Sequence, residues 1–343
     1  GFTLAYMGRN IGTILAPIIA AEIAAVYDWR WAFIIAGIGM LIGLSIFLLG
    51  KKHYQQRSFY QPASIKVYAV LLFSLLVLSL LVYFFMAHHS YVGAILVLTV
   101  IIMTSFIIYL AKSRYAARKN QIFLAMILTG FYIVFLILLQ QSGGALNLFT
   151  DTFVNRQFFG FTIETGIFQS VEPLALVMLT PLYSLMWSKL AKQKIILSDP
   201  AKFTWGISLM SASFVLMAIA MNFTDPHYQI NFNWITVTYV FQAAGELFIG
   251  PIGLAMVSRL IPDKMLGLYM GYWVLATAIA NFIAAKIGAY ITPAITTTAD
   301  ASTDALATAI GAYQAAFYQL SIMGFLCAFL LLLMKKRLAK LAN

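Results

Sequence analysis

The sequence has little charge: 10% of its 343 residues are Asp, Glu, Lys or Arg, whereas 62% are hydrophobic. A water-soluble globule of this length needs more polar surface than that. Several apolar runs contain no charged residue, and 67–87 and 92–111 are the clearest. About 20 such residues form a helix that crosses the roughly 30 Å hydrocarbon layer of a bilayer. Their continuous apolarity excludes barrel strands, so the sequence predicts an all-α polytopic membrane helix bundle.

Reactive side chains are also scarce. Cys327 is the single cysteine and lies inside an apolar run, which excludes a disulfide framework. The histidines fall between the apolar segments, at His53, His88, His89 and His227. No nucleophile, base or metal-ligand set is visible in the sequence at membrane depth, so we expect neither an enzyme nor a bound metal or cofactor.

Ten membrane helices are predicted, at 2–26, 32–49, 67–87, 92–111, 121–140, 166–188, 203–222, 233–258, 265–291 and 308–334. If the odd-numbered helices run outward, 18 of the 22 Lys and Arg residues fall on one side. We expect the protein in the bacterial inner (plasma) membrane. The positive-inside rule then places both ends of the chain on the cytoplasmic side. Because the basic residues mark helix ends and form no single stripe, the net charge of +11 does not predict a nucleic-acid partner.

The strongest local signal is the stretch 245–254 (GELFIGPIGL), in which Glu246 lies among three glycines and a proline. Glu246 is thirteen residues from Arg259, which anchors one end of the helix. At 1.5 Å per residue the carboxyl group lies about 20 Å from that anchor, near the middle of the bilayer. A carboxylate at this depth needs water, a cation or a proton, so Glu246 is a candidate functional residue. The alternative is a neutral hydrogen-bond donor that serves helix packing.

The same stretch, with 270–273 (MGYW) and 276–282 (ATAIANF), resembles the proton-dependent oligopeptide transporter family of the major facilitator superfamily. Three more stretches agree in order. Residues 6–12 (YMGRNIG) resemble that family's fifth helix, 140–149 (QQSGGALNLF) the end of its seventh, and 168–174 (FQSVEPL) its eighth.

The resemblance implies twelve helices in two halves, with two additional helices between the halves in many bacterial members. Residues 1–50 would then be the last two helices of the N-terminal bundle. Residues 51–120 would be a linker with two extra, lipid-facing transmembrane helices, and 121–343 the six-helix C-terminal bundle. The family's first four helices would be absent, and the start at Gly1 also suggests a fragment.

The function that the resemblance implies is proton-coupled symport of di- and tripeptides by alternating access. The expected partners are a small peptide, protons as the coupling ion, and membrane lipid, with a monomer as the expected state. Three alternatives stay open: a family member with another small substrate, a channel, and a non-transporting peptide-binding receptor.

The resemblance also assigns roles to particular residues. Asn10 would hydrogen-bond a peptide terminus or backbone, and Glu246 would pair with the peptide amino group. Trp273 and Thr277 lie one helical turn apart and would line a side-chain pocket. For Asn10 and Trp273 the alternatives are an interhelical hydrogen bond and simple packing.

Three departures from the family pattern change this picture. Gln140 stands where the seventh helix usually carries a titratable glutamate, and Glu172 stands where the eighth usually has asparagine. Our hypothesis is that the proton-coupling carboxyl group is Glu172, acting with Glu246, while Gln140 remains a substrate-binding residue; the alternative for Glu172 is a helix cap near the outer interface. Arg9 replaces an isoleucine, and we expect it either to face the cavity and bind a substrate carboxylate or to anchor the inner interface. Lys286 lies near the outer end of its helix and is expected to reach to the interface.

Overall fold

The computed structural model describes residues 2–50, 64–195, 197–291 and 303–341. Over these residues the chain forms eleven α-helices: α1 (Phe2–Val26), α2 (Trp29–Leu49), α3 (Ile65–Ala87), α4 (His89–Ser113), α5 (Lys119–Leu139), α6 (Ala145–Phe153), α7 (Val171–Lys192), α8 (Asp199–Ala220), α9 (Phe232–Leu260), α10 (Asp263–Ile291) and α11 (Thr303–Leu341). Within the described part of the chain, ten stretches are long and apolar enough to cross a membrane. The predicted helical membrane bundle is confirmed.

The last predicted helix, 308–334, differs most from the prediction, because α11 spans Thr303–Leu341. The fifth, 121–140, corresponds to α5 but is followed by a turn and a short helix that were not predicted. α5 ends at Leu139, a 3-10 turn follows at Gln140–Ser142, and the short α6 continues the same span. Gly143 and Gly144 lie between the 3-10 turn and α6. The helix is interrupted here because glycine weakens a regular helix and tolerates unusual backbone angles. A second 3-10 turn, Thr165–Ser170, leads into α7. Another, Ala116–Arg118, precedes α5.

Four very short strands lie in the connections. β1 (Val154–Asn155) pairs in parallel with β4 (Ile230–Asn231). β2 (Gln157–Phe158) pairs with the antiparallel β3 (Phe161–Thr162). The two residues between β2 and β3 have positive φ angles, 47° at Phe159 and 85° at Gly160, as a tight hairpin turn requires. These strands join helix ends and leave the all-α class unchanged.

The buried core lies among α5, α8, α9, α10 and α11. α8 lies between α9 and α11 and packs extensively against both. Where α8 and α9 pack together, a Cβ atom on Gly245 would lie 2.8 Å from the carbonyl oxygen of Gly206. Only glycine permits this separation, as is common where membrane helices cross.

The helices that precede α5 are much more exposed. α3 has no buried residue. α4 packs with one face on α10, where the Thr104 and Tyr272 hydroxyl groups are 3.2 Å apart. α1 packs on α2, on the turn Thr165–Ser170 and on α7. The division at residues 50 and 120 stays a prediction.

One end of the bundle is strongly basic. There α7 and α9 end while α8 and α10 begin, and Arg259 of α9 forms an ion pair with Asp199 of α8. We call this the basic end; its cationic residues are Lys189, Lys192, Lys194, Lys202, Arg259 and Lys264.

Candidate functional site

Two carboxyl groups meet inside the span of the bundle. Glu172 lies in the first turn of α7 and Glu246 in the middle of α9, and their side chains are within hydrogen-bonding reach of each other. Both residues are half-buried. A contact between two carboxyl groups is favourable when one of them holds a proton and donates it to the other. The structure thus brings together the two predicted proton-coupling residues.

An aromatic pair lies beside these carboxyl groups. The rings of Tyr132 on α5 and Trp273 on α10 stack with centroids 4.1 Å apart and an angle of 17° between their planes. Trp273 is 6% exposed, and its ring lies against α9 at Gly253, where an added Cβ would be 2.7 Å from the indole. The Glu246 carboxyl group is close enough to the Tyr132 hydroxyl to interact with it electrostatically. Four helices therefore converge on one site.

A second tyrosine interacts with the carboxyl pair. Tyr239, two turns before Glu246 on α9, is 1% exposed and interacts electrostatically with Glu172. Its hydroxyl donates to the carbonyl oxygen of Ser142 at 3.4 Å. This bond connects α9 to the 3-10 turn that follows α5.

Gln140 lies in that turn and is hydrogen-bonded to Asn281 of α10, with the amide nitrogen as donor. Its neighbour Gln141 is buried and donates to the carbonyl oxygen of Ala284 at 3.2 Å. The hydroxyl groups of Thr129 and Tyr269 are 2.9 Å apart and join residues 140 positions apart in the chain, while Gln140 and Asn281 are 141 positions apart. Because this offset is nearly constant along both helices, α5 and α10 run parallel to each other.

The register places Gln140 and Glu246 at a similar depth. Asn281 lies eight residues beyond Trp273 on α10, or about 12 Å towards the end opposite the basic end. Glu246 lies seven residues from Gly253 on α9, about 10 Å in the same direction. Since Trp273 contacts Gly253, the amide pair and the carboxyl pair lie within about a turn of each other.

α1 approaches the site through its contact with α7. The Ser170 hydroxyl donates to the carbonyl oxygen of Ile14 at 2.8 Å, and Ala21 packs on Gly166. The two segments are thus antiparallel, and one turn back from Ile14 brings Asn10 to within about 5 Å of the depth of Glu172. Asn10 is half-buried.

Arg9 and Thr277 are less firmly placed by contacts. Arg9 is exposed, and its carbonyl oxygen accepts a bond from Thr13. Thr277 is half-buried one turn beyond Trp273. Lys286 is exposed and its ammonium lies 5.8 Å from the Phe282 ring centroid. The predicted roles of Arg9 and Thr277 stay predictions.

Sequence reasoning missed Tyr132 and Tyr239. Each is a hydroxyl-bearing ring in a long apolar helix, and that pattern alone does not distinguish a packing tyrosine from a functional one. The packing of α5, α7, α9 and α10, which the sequence pattern does not give, brings Tyr132 close to Glu246 and Tyr239 close to Glu172. Among the residues that the structure describes, no cluster of three or more His, Cys, Asp or Glu side chains could hold a metal ion.

The fold and this midspan site define a multi-pass membrane protein of the major facilitator type. The sequence profile of the POT family matches residues 1–310, and the chain belongs to that family. The resemblance seen in the sequence is thereby confirmed.

Curated relatives agree with the family assignment. The chain is 28% identical over 346 residues to "Dipeptide and tripeptide permease A" of Yersinia pestis, covering 99% of this chain and 67% of that protein. It is 29% identical to the protein of the same name from Serratia proteamaculans, covering 83% of this chain and 56% of that protein. The chain therefore spans little more than half the length of the latter relative. Both of these relatives are named permeases.

Solved structures share the fold. A crystal structure of a mutant peptide transporter POT in complex with alafosfalin matches with a TM-score of 0.80 at 22% identity, over 99% of this chain and 67% of that one. A POT family transporter in complex with 5-aminolevulinic acid matches with a TM-score of 0.77 at 20% identity, over 98% of this chain and 69% of that one. At these identities the likeness concerns the fold alone.

Proposed function

We propose that the protein to which this chain belongs is a proton-coupled symporter of di- and tripeptides. It works by alternating access in the bacterial inner membrane, with the basic end in the cytoplasm. The observation that carries the proposal is the carboxyl pair Glu172 and Glu246 within the membrane span. The family membership and the names of the curated relatives support the substrate class.

Charge counting at the pair explains how a proton and a peptide are bound together. Two ionised carboxylates carry a charge of −2, which is unfavourable in a site of low dielectric constant. A peptide ammonium group alone leaves −1, whereas an ammonium group and one proton together leave the site neutral. Glu172 holds the proton and Glu246 pairs with the ammonium group, so the loaded site favours both ligands at once.

The remaining predicted residues complete the peptide site. Asn10, near the depth of Glu172, hydrogen-bonds the amino end of the peptide backbone. Arg9, on the neighbouring position of α1, supplies a cation for the peptide carboxylate. Trp273 and Thr277 border the space for the first side chain, and the stacked Tyr132 holds the indole in place.

Gln140 binds the peptide substrate at the edge of this site but does not carry the coupling proton. Its amide cannot titrate, and it is occupied with Asn281. The position that is a glutamate in the family pattern is thus neutral here, whereas Glu172 on α7 adds a carboxyl group where the pattern has asparagine. We also infer a monomer surrounded by lipid, with no cofactor beyond the coupling proton.

The proposal is tested with the full-length protein in proteoliposomes under an imposed proton gradient. The unmodified protein should accumulate labelled dialanine, and Glu172→Gln should lose accumulation while it still exchanges labelled for unlabelled peptide. Glu22→Gln, which removes an exposed carboxyl group of α1, is the matched control and should accumulate normally. Undiminished accumulation by Glu172→Gln would overturn the role of Glu172. Peptide binding by the unmodified protein without accumulation or exchange would identify a receptor and overturn transport.

A further inference from the structure

The 3-10 turn between α5 and α6 is held by side-chain hydrogen bonds to two other helices. The turn's own Gln140 and Gln141 both donate to α10. From α9, the Tyr239 hydroxyl donates to the carbonyl oxygen of Ser142 at 3.4 Å. The usual O–H···O distance is about 2.7–2.8 Å, so this bond is a weak one. A stronger acceptor within reach of Tyr239 would therefore take the hydroxyl away from the turn.

Such an acceptor is the carboxyl pair. Tyr239 and Glu246 are seven residues apart on α9, which puts them on the same face of the helix, two turns apart. Glu172 of α7 contacts Glu246 and interacts electrostatically with the Tyr239 hydroxyl. The Tyr239 ring is 1% exposed and is fixed in the core, whereas Glu172 is half-buried and has a flexible side chain. Of the two, it is Glu172 that can move.

The acceptor that Tyr239 prefers depends on whether Glu172 holds a proton. With a proton, Glu172 donates to Glu246, and the pair stays in contact as it does in the structure. When both carboxyl groups are ionised they repel each other, and a bond from a hydroxyl to a carboxylate is about twice as strong as one to a neutral carbonyl. Tyr239 keeps its own proton throughout and has only this one to donate, so a bond to Glu172 replaces the bond to Ser142.

The elements that pack against α7 bring few other charges to Glu172. They are α9, α1 and the turn Thr165–Ser170. At this depth α9 contributes the carboxyl and hydroxyl groups already described, and the turn has no titratable side chain. α1 contributes the exposed Arg9 and Glu22. Because an arginine stays cationic, Glu22 is the carboxyl group of α1 whose titration has to be separated from that of the pair.

We propose that Tyr239 is a positioning residue of the transport site, which transmits the protonation of Glu172 to the turn that carries Gln140. This inference rests on the proposed coupling role of Glu172. A proton on Glu172 leaves the hydroxyl on Ser142 and holds the turn against α9, whereas an ionised Glu172 takes the hydroxyl and releases the turn. Gln140 is thus held in place for the peptide when the coupling proton is bound, so the proton and the peptide favour each other.

The test is hydrogen exchange of the amides of 140–144, measured by mass spectrometry on the full-length protein without peptide. After correction for the intrinsic pH dependence of exchange, these amides should be about fivefold better protected at acidic than at alkaline pH, as expected for one hydrogen bond. Tyr239→Phe keeps the ring and should abolish this difference. Tyr269→Phe removes another buried hydroxyl, 2.9 Å from that of Thr129, and as the matched control should keep the difference.

Two further variants keep the inference testable if Tyr239→Phe folds poorly. Glu172→Gln should show the same protection at both pH values, and Glu22→Gln should keep the difference. Equal protection at both pH values in the unmodified protein would overturn the inference, as would an undiminished difference in Tyr239→Phe or Glu172→Gln. Loss of the difference in Tyr269→Phe or Glu22→Gln would also overturn it. Exchange is measured without peptide, so a failure to accumulate peptide in proteoliposomes would count against the proposed transport alone.

Discussion

Glu172 and Glu246 show how two side chains acquire a function that neither has alone. A single carboxyl group at membrane depth can serve as a neutral packing group. Two that touch, on different helices, form a site whose charge depends on what is bound. Gln140 contributes hydrogen bonds at a similar depth but no charge.

The relocation of the proton-coupling carboxyl group can be tested by reversal. Replacing Glu172→Asn and Gln140→Glu together recreates the family pattern at both positions. Because Gln140 and Glu246 lie within about a turn in depth, we expect the double variant to recover proton-driven peptide accumulation, measured in proteoliposomes. Glu172→Asn alone should fail to accumulate peptide. Equal failure of the single and double variants would show that the carboxyl position is not transferable.

The hydroxyl group of Tyr132 is expected to assist the peptide site. Tyr132→Phe keeps the stack on Trp273 but removes the hydroxyl beside Glu246. Loss of one polar interaction of about 1 kcal/mol should weaken dialanine binding about fivefold, measured by calorimetry. Tyr183→Phe removes a hydroxyl that bonds Ala244 outside the site and is the matched control. Identical affinities of Tyr132→Phe and the unmodified protein would restrict Tyr132 to packing.

At the scale of helices, the crossing of α8 and α9 holds Glu246 in position. Gly206 and Gly245 allow the two backbones to touch, and Ile249 lies directly over Gly206. Because lipid tails are as apolar as the helix surfaces, such close packing and small residues stabilise helix pairs in membranes. Glu246 follows Gly245, so the crossing fixes the height of the carboxyl group.

This crossing gives a stability prediction for Gly245, and Gly271 of α10, which lies outside the crossing, is the matched control. In Gly245→Ala the added Cβ would lie 2.8 Å from a backbone oxygen, which should destabilise the protein by about 1–3 kcal/mol. In Gly271→Ala on α10, nothing lies within 4 Å of the new methyl group, so the higher helix propensity of alanine should leave stability equal or slightly raised. Thermal unfolding in detergent measures both. An unchanged melting temperature for Gly245→Ala would contradict the close crossing.

At the scale of the whole molecule, charge is unevenly distributed between the two ends. The basic end carries the lysines of α7 and α8, and the opposite end carries the hairpin of β2 and β3 and the loop at Asp225. The positive-inside rule assigns the basic end to the cytoplasm.

Cysteine labelling of intact cells tests that orientation. In a Cys327→Ala background, His227→Cys lies in an exposed loop at the end opposite the basic end, and Gln193→Cys lies exposed at the end of α7. A membrane-impermeant maleimide should label His227→Cys in intact cells and Gln193→Cys only after permeabilisation. The reverse pattern would invert the proposed topology.

The class of the protein, the ten membrane spans of the described residues and the candidate carboxyl groups could be predicted from the sequence. Apolar runs of membrane length form helices wherever the chain lies in lipid, since their backbone polar groups have no other partner. Charged residues inside such runs are costly, so Glu172 and Glu246 are visible as exceptions in a linear pattern.

What only the tertiary structure decided is which of these exceptions touch. The contact of Glu172 with Glu246 and the stack of Tyr132 on Trp273 each join helices that are distant in sequence. Helical periodicity describes the face on which a residue lies along its own helix. The crossing of α7 over α9 and the parallel register of α5 and α10 depend instead on how side chains of different helices pack, and a pattern within one helix does not contain that information.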